Sequence, residues 1–329
     1  MPDPKIHCLN VKKGDCFIIE RSSGRVTMID ICCGNLEQKS FYEKILESSY
    51  LQKIPGDYGM RNKPTNPLAY LLSRGISEIW RFILTHPDMD HMDGLERLFS
   101  EKTVHNFWDC GIRRTPPDFD KETDFKKEDW DYYQSLISSK ISHVNIISPR
   151  AGSHGKYWSA DNDQKEGHGD YLSIISPNNE LISSANTGDD INDASYVIIY
   201  RSSAGRIIFP GDSNDKTWEY ILKNHKDLVS DAAVLFAPHH GRKSDRDYSF
   251  LDIVKPRISF FGCAPSEDLA YSAWQYRKLL YFTNNQCGNI HIYPVDKDIE
   301  VFIENEDFAR DFTKEQTFQK DNNWFLCKI

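Results

Sequence analysis

The sequence predicts a mixed α/β protein. Short apolar runs of strand length alternate with amphipathic, helix-like stretches along most of the chain. The apolar runs are bounded by glycine, proline and small polar residues, the usual punctuation of strands. Several of these runs, Ile79–Leu84, Ile207–Pro210 and Ala232–Ala237, lead into turns that carry His or Asp. Strands that share such endings bring imidazoles and carboxylates to one rim of a sheet. The 329 residues allow one large mixed domain or two ordinary ones, and 39% hydrophobic residues supply a substantial core.

Residues 5 to 35 read as a strand meander. Gly14-Asp15 precedes Cys16–Ile19, Ser22-Ser23-Gly24 turns the chain, and Val26–Ile29 ends at Asp30. A small-residue turn between two β-branched runs is a hairpin signal. Asp30 reads equally as an acid orienting a metal ligand or as the cap of a following helix. Residues 38 to 51 read as a helix, Pro55 to Pro67 as a loop, and Leu68 to Arg74 as a helix closed by Gly75. Ile79–Leu84 is a buried strand, Gly94 to Ser100 a helix and Val104–Asp109 a strand. Residues 113 to 170 are polar, charged and aromatic, broken by a helix near Trp130 to Ser139 and a strand at Val144–Ile147. Such a stretch serves as a lid, a docking insertion or a solvated excursion. His154 and His168 within it read as solvated, and Trp130, Tyr157 and Trp158 as packing residues or stacking platforms for bases. Strands resume at Leu172–Ile175, Tyr196–Tyr200, Ile207–Pro210 and Ala232–Ala237, the last two separated by a helix at Lys216 to Lys226. Ile258–Phe261, Ile290–Tyr293 and Val301–Ile303 follow. Residues 305 to 329 form a C-terminal extension in which Trp324-Phe325-Leu326 packs on the body or serves a partner.

Composition narrows the function classes. No run approaches the roughly 18 apolar residues of a membrane span, and Met1 to Lys5 lacks the apolar core of a signal peptide. A cytoplasmic protein with no membrane partner is therefore expected. Eight scattered cysteines without a Cys-x-x-Cys argue against a zinc ribbon and a disulfide scaffold. Cys16, Cys110, Cys263 and Cys327 lie in apolar surroundings and read as core. The net charge of −9 disfavours a surface that coats nucleic acid, yet leaves room for a local basic groove.

The chemistry gathers in three segments. His86, Asp88, Asp90 and His91 fall within six positions of the first strand's end, Gly211-Asp212 closes the second, and His239-His240-Gly241 closes the third. Converged out of water, such groups repel or stay unpaired unless a cation sits among them. Each glycine admits backbone and ion without a Cβ between them. The layout is that of a two-metal hydrolase. Arg242 and Lys243 are placed to hold a phosphate oxygen by charge-assisted hydrogen bonds, or else belong to a solvated loop.

On these motifs the sequence resembles the metallo-β-lactamase superfamily, which opens with Gly-Asp and a strand ending in Asp, as at Gly14-Asp15 and Asp30, and carries a central His-x-His-x-Asp-His. Here that motif is His86-Pro87-Asp88-Met89-Asp90-His91, with Asp88 in place of the second His. With Phe209-Pro210-Gly211-Asp212 and Pro238-His239-His240-Gly241, it is most similar to the branch containing the C-terminal domain of the competence DNA-uptake protein ComEC, from about residue 6 to 293. The resemblance implies a four-layer αββα sandwich formed by residues 1–329 as one domain, and two divalent ions, Zn²⁺ or Mn²⁺, at one rim. It implies that Asp90, His91 and one of His239 and His240 hold one ion (His240 is favoured because it directly precedes Gly241), that His86 and Asp88 hold the other, and that Asp212 bridges them. His239 is then a proton donor or supports a ligand, Asp90 or Asp212 orients the attacking water, and Asn192 and Ser195 line the substrate site where other branches carry a third His. The implied reaction is hydrolysis of a phosphodiester of DNA, RNA or a nucleotide by a metal-bound hydroxide. Arg242 replaces the branch's Ser, and no His-Pro pair occurs in Ser266 to Gln275, which removes the residue to which leaving-group protonation would be assigned. The rival expectation is a binding or scaffold subunit of a larger defence or DNA-processing assembly that kept the fold, docked through the 113–170 insertion.

Overall fold

A computed structural model describes residues 4–21, 23–37, 57–121, 124–159, 169–188, 190–244, 246–262 and 264–329. The helix expected over 38–51, His168 and Cys263 lie outside the described residues. The first half of the chain lays down β1 (Lys5–Cys8), β2 (Phe17–Glu20), β3 (Val26–Ile29), β4 (Glu78–Leu84), β5 (Thr103–Asp109) and β6 (Asn145–Ile147). The second half builds β7 (Leu172–Ser176), β8 (Val197–Ser202), β9 (Gly205–Phe209), β10 (Val234–Phe236), β11 (Ile258–Phe261) and β12 (Tyr281–Thr283). The chain then returns to the first sheet with β13 (Ile290–Val295), β14 (Asp298–Ile303), β15 (Gln319–Lys320) and β16 (Asn323–Lys328). One sheet has the order β15-β16-β14-β13-β1-β2-β3-β4-β5-β6 and the other β12-β11-β10-β9-β8-β7.

Period-two alternation assigns each strand two faces. Phe17, Ile19, Ile29 and Ile83 of the first sheet meet Ile198, Ile207, Phe209, Val234 and Phe236 of the second in one core. The odd-out neighbours Ile18, Met28, Phe82 and Leu84 face the opposite way, onto α1 (Pro67–Ser73), α2 (Leu95–Glu101) and α3 (Lys127–Ile137). Ile199, Ile208 and Leu235 face α4 (Asp215–Asn224) and α5 (Tyr271–Tyr276) through Trp218, Ile221 and Trp274. The architecture is thus helix, sheet, sheet, helix, the four-layer αββα sandwich expected. Among the described residues no helix is long and apolar enough to cross a membrane.

The strands that carry the ligand turns are parallel to a neighbour. β3 pairs parallel with β4, and β9 with β10. Their covered faces explain the mainly apolar runs that made them legible, broken at Thr27 in β3 and at the buried Arg81 in β4. Crevices at the carboxyl ends of parallel strands are the natural place for a site in open α/β sheets, and Asp30, His86, Asp212 and His240 all follow such ends.

The described residues of the 113–170 stretch are woven into the body rather than laid over it. Trp130, Tyr133 and Leu136 of α3 enter the outer core of the first sheet, and β6 pairs parallel with β5. Trp130 is buried and so is closed to stacking on a base, whereas Trp158 is half-buried with its ring 5.3 Å from Trp108. Tyr157 remains exposed, and so does His154. In the C-terminal extension, β16 pairs antiparallel with β14 and Leu326 joins the central core.

One buried side chain ties α3 to the start of α2, just after the ligand turn. Asp129 accepts hydrogen bonds from Gly94 N (2.9 Å), Glu96 N (2.9 Å) and Asn35 Nδ2 (2.6 Å). Asp129→Ala leaves these donors unsatisfied and is expected to cost about 2 kcal/mol, read as a lowered urea midpoint at unchanged slope. An unaltered midpoint would refute the tie.

Candidate metal centre

Four loops meet at the rim. After β4 the chain passes through Thr85 and His86 into a single 3₁₀ turn, Met89–His91. After β9 comes Pro210-Gly211-Asp212. After β10, Pro238–Gly241 forms a tight turn in which both His239 (φ 54°) and His240 (φ 57°) are left-handed. Asp30, after β3, is left-handed too (φ 56°). For non-glycine residues such backbones cost of order 1–3 kcal/mol each, and they persist only where surrounding contacts fix them. The loops brace one another: Tyr196 N donates to Thr85 O (2.9 Å), His239 N to Gly211 O (3.1 Å), and Gly262 N to His240 O (3.0 Å).

Asp212 stands at the centre. Its Oδ1 lies 3.3 Å from His91 Nε2 and 3.4 Å from His240 Nε2, and its Oδ2 lies 3.5 Å from His239 Nε2 and 3.9 Å from His86 Nε2. Asp90 approaches from the open side, 3.7 Å from His240 Nε2 and 3.9 Å from His91 Nε2. Three overlapping sets bring one donor atom from each member within 4.8 Å of the others: His86, His91 and Asp212; Asp90, His91 and His240; Asp15, Asp212 and His240. A separate buried set, Cys32, Cys33 and Asp93, already spends Asp93 on Cys33 N and Asn35 Nδ2, each at 2.9 Å.

The far nitrogens of three imidazoles are held by oxygen. His91 Nδ1 lies 2.7 Å from Asp30 Oδ2, and His86 Nδ1 lies 3.1 Å from Thr85 Oγ1, which itself donates to Asp30 Oδ2 at 2.7 Å. His240 Nδ1 lies 3.0 Å from Asp15 Oδ1, though out of line for a hydrogen bond. The near nitrogens, Nε2 of His86, His91 and His240, are buried and make no hydrogen bond, as does Asp212 Oδ1. Leaving such groups unpaired costs about 1–3 kcal/mol apiece. Imidazoles oriented by outer oxygens, with orphaned inner nitrogens facing carboxylates, fit a divalent cation of borderline or harder character. Asp90, His91, His240 and Asp212 are the fuller set. His86 and Asp212 begin a second.

The electrostatics make the same point. Burial pushes His86 down to about 4, helped by the charge on His91. For His91 burial is outweighed by Asp212 and Asp30, and for His240 by Asp212 and Asp15, so both are held well above the ordinary histidine range. Burial also pushes Asp212 and Asp90 up, but His91 and His240 hold both well below the ordinary carboxylate range. Without a cation, protons on His91 and His240 neutralise the buried carboxylates.

The remaining predicted residues sort as follows. Asp88 does not join the cluster: its Oδ1 takes Met89 N (2.8 Å) and Arg114 NH1 (2.7 Å). Lys243 turns away, its Nζ bonded to Glu267 O at 2.7 Å. Arg242 Nε, Asn192 Oδ1 and Ser195 Oγ are buried without hydrogen-bond partners. Asp30 Oδ2 lies against His91 Nδ1 at 2.7 Å. Sequence reasoning missed Thr85, Arg114 and Arg246, and left Asp15 without a role. Asp15 had a signal in Gly14-Asp15, whereas Arg246 hid in a run that reads as a solvated loop.

No family model matches the sequence, and no curated protein matches it. Solved structures are similar in shape. The metallo-β-lactamase-fold protein YhfI of Bacillus subtilis is 9% identical, with 86% of this chain and 97% of that one covered and a TM-score of 0.46. A metal-dependent hydrolase of the β-lactamase superfamily, Tm1679, is 12% identical over 85% and 95%, TM-score 0.44. A diphosphatase of the PhnP family is 12% identical over 79% and 85%, TM-score 0.38. At such scores the likeness carries nothing about this chain's chemistry.

Two outcomes follow from the geometry. Because a cation must displace protons from His91 and His240, binding of Zn²⁺ at pH 7 is expected to release about two protons, and affinity to rise with pH. Calorimetry in buffers of different ionisation enthalpy measures this, and release near zero would contradict it. Separately, a Cβ on Gly14 would lie 1.7 Å from the Asp90 carbonyl oxygen. Gly14→Ala is expected to weaken metal binding about tenfold or more, and unchanged binding with intact circular dichroism would refute that dependence.

Proposed function

We propose that this chain is a metal-dependent hydrolase of phosphodiesters, with DNA or another nucleotide diester as substrate. The observation that carries the reading is the convergence of His86, His91 and His240 Nε2 with Asp90 and Asp212 on one partly open point, each imidazole backed by an outer oxygen. When bound, a pair of divalent cations, Zn²⁺ or Mn²⁺, lowers the pKa of a coordinated water and polarises the phosphoryl oxygen under attack. Asp90, His91, His240 and Asp212 hold the first cation, and His86 and Asp212 the second. Asp90 is the more open of the two carboxylates and orients the water. His239 is 31% exposed, whereas His86, His91 and His240 are exposed by 1% or less, so His239 is the imidazole that faces substrate.

An anionic substrate is favoured by the guanidinium groups beside the cluster. Arg242 Nε is buried with no acceptor among the described residues, and a phosphate oxygen is the acceptor that suits it; Arg246 adds its positive charge while bonded to His239. Asn192 and Ser195, on the turn leading to Tyr196, offer further polar contacts. The sequence motifs shared with the ComEC branch favour nucleic acid within this class.

One observation supports the rival reading of a binding subunit with weakened turnover. Asp88 is held by Arg114, which leaves the second cation position with fewer ligands. That reading retains the metal centre as a structural element and uses the 113–170 segment for docking.

The test is cleavage of bis(p-nitrophenyl) phosphate and of single- and double-stranded DNA with added Mn²⁺ or Zn²⁺. Cleavage should be lost on chelation, be restored by the metal, and fall about 100- to 1,000-fold in His91→Ala and Asp212→Asn. Full metal occupancy without cleavage of any diester would overturn the hydrolase and leave the binding subunit.

A further inference from the structure

Four histidines line this centre, and one of them is wired in reverse. His86 and His91 hydrogen-bond through Nδ1 to an oxygen (Thr85 Oγ1 and Asp30 Oδ2), and His240 turns Nδ1 toward Asp15 Oδ1, so Nε2 is the nitrogen each ring would offer a cation. His239 Nδ1 instead lies 2.9 Å from Arg246 NH2. A guanidinium only donates, so His239 Nδ1 must be the acceptor. The proton of the neutral ring is thereby fixed on Nε2, which faces Asp212 Oδ2 at 3.5 Å.

Arg246 is itself fixed. Its NH2 also donates to Asp212 O at 3.0 Å, which anchors the guanidinium to the loop after β9 while it reaches His239 on the loop after β10. The same nitrogen group thus reads the relative position of the two loops that build the centre.

We propose that Arg246 is a positioning residue that locks His239 in the Nε2–H tautomer, which bars it from cation coordination and makes it the hydrogen-bond and proton donor to the oxygen that leaves the phosphorus. The donor role rests on the hydrolase reading; the tautomer does not. In the reaction, the water gives one proton to solvent as its oxygen bonds to phosphorus, the bond from phosphorus to the ester oxygen breaks, and the Nε2 proton passes to that departing oxygen. Nε2 takes a proton from solvent as it gives its own, so the ring stays neutral and Nδ1 remains the acceptor of the guanidinium N–H. This supplies a donor at a site whose sequence lacks the late His-Pro pair.

The experiment uses the full chain loaded with Zn²⁺ and labelled with ¹⁵N in histidine. Its His239 signals are assigned by their absence in His239→Gln. Expected is one imidazole with Nδ1 unprotonated and Nε2 protonated, opposite to His86 and His91. Arg246→Met is expected to abolish that single pattern, leaving metal content unchanged and lowering kcat about tenfold or more for an alkyl phosphodiester, with a smaller effect on a p-nitrophenyl diester whose leaving group needs no proton. Arg246→Lys, which keeps a donor, is expected to restore the tautomer in part and guards against a variant that merely misfolds. A His239 protonated on Nδ1 in the wild type, loss of one metal equivalent in His239→Gln, or equal losses for both leaving groups would overturn the proposal. If no diester is cleaved at all, the tautomer and metal-content measurements still decide the lock, so its failure and the failure of the hydrolase reading are separable.

Discussion

The structure at this rim depends on a surplus of buried negative charge. Asp15 faces His240, Asp30 faces His91, Asp90 faces both of them, and Asp212 lies within 4 Å of His86, His91, His239 and His240 at once. Two carboxylates facing one nitrogen, as Asp90 and Asp212 face His240 Nε2, repel unless positive charge lies between them. Protons serve in the empty protein, and a divalent cation serves better because it satisfies several orphaned atoms together. The left-handed backbone at Asp30, His239 and His240 shows how much local strain the fold sustains to hold that geometry.

The layered architecture makes the gathering possible. The ligands come from the ends of strands in both sheets, with Asp30 and His86 following the first sheet and Asp212 and His240 the second. Only face-to-face packing of the two sheets, through a core that includes Phe17, Phe209 and Phe236, brings those ends together. The clustering of these rings sets the spacing of the sheets. It therefore sets the distance across which His91 and His240 meet, with ring centroids 5.1 Å apart.

Legibility in the sequence followed burial. β3 and β11 are legible residue for residue, because a run covered on both faces is mostly apolar, with only the small polar Thr27 and Ser259 inside them. Phe17–Glu20 and Gly205–Phe209 are located within a residue or two by their turns. The helix at Asn179–Thr187, the short strand Tyr281–Thr283 and the strands after residue 318 were not read, since their apolar positions are few and interleaved with polar ones. At the site, the ligands announced themselves as residue types at strand ends. The groups that decide their behaviour did not. Thr85 is an ordinary strand-end residue, and nothing in the run Arg242 to Arg246 distinguishes the one arginine that folds back onto His239 from the lysine that reaches away to Glu267 O.

The exchange at position 88 has a physical consequence that composition alone does not convey. A second imidazole there would be a neutral ligand with no attraction to a guanidinium. A carboxylate is an anion, and Arg114 takes it, at 2.7 Å, with both partners about a third exposed. Such a pair is worth about 0–1 kcal/mol, little against the orphaned atoms that a second cation would satisfy at His86 and Asp212. Arg114 therefore sets where Asp88 rests without denying it to a cation. The two halves of the centre differ in kind: one is rigid, with every ligand braced by a neighbouring oxygen or loop, and the other is completed only when a weak surface pair gives way.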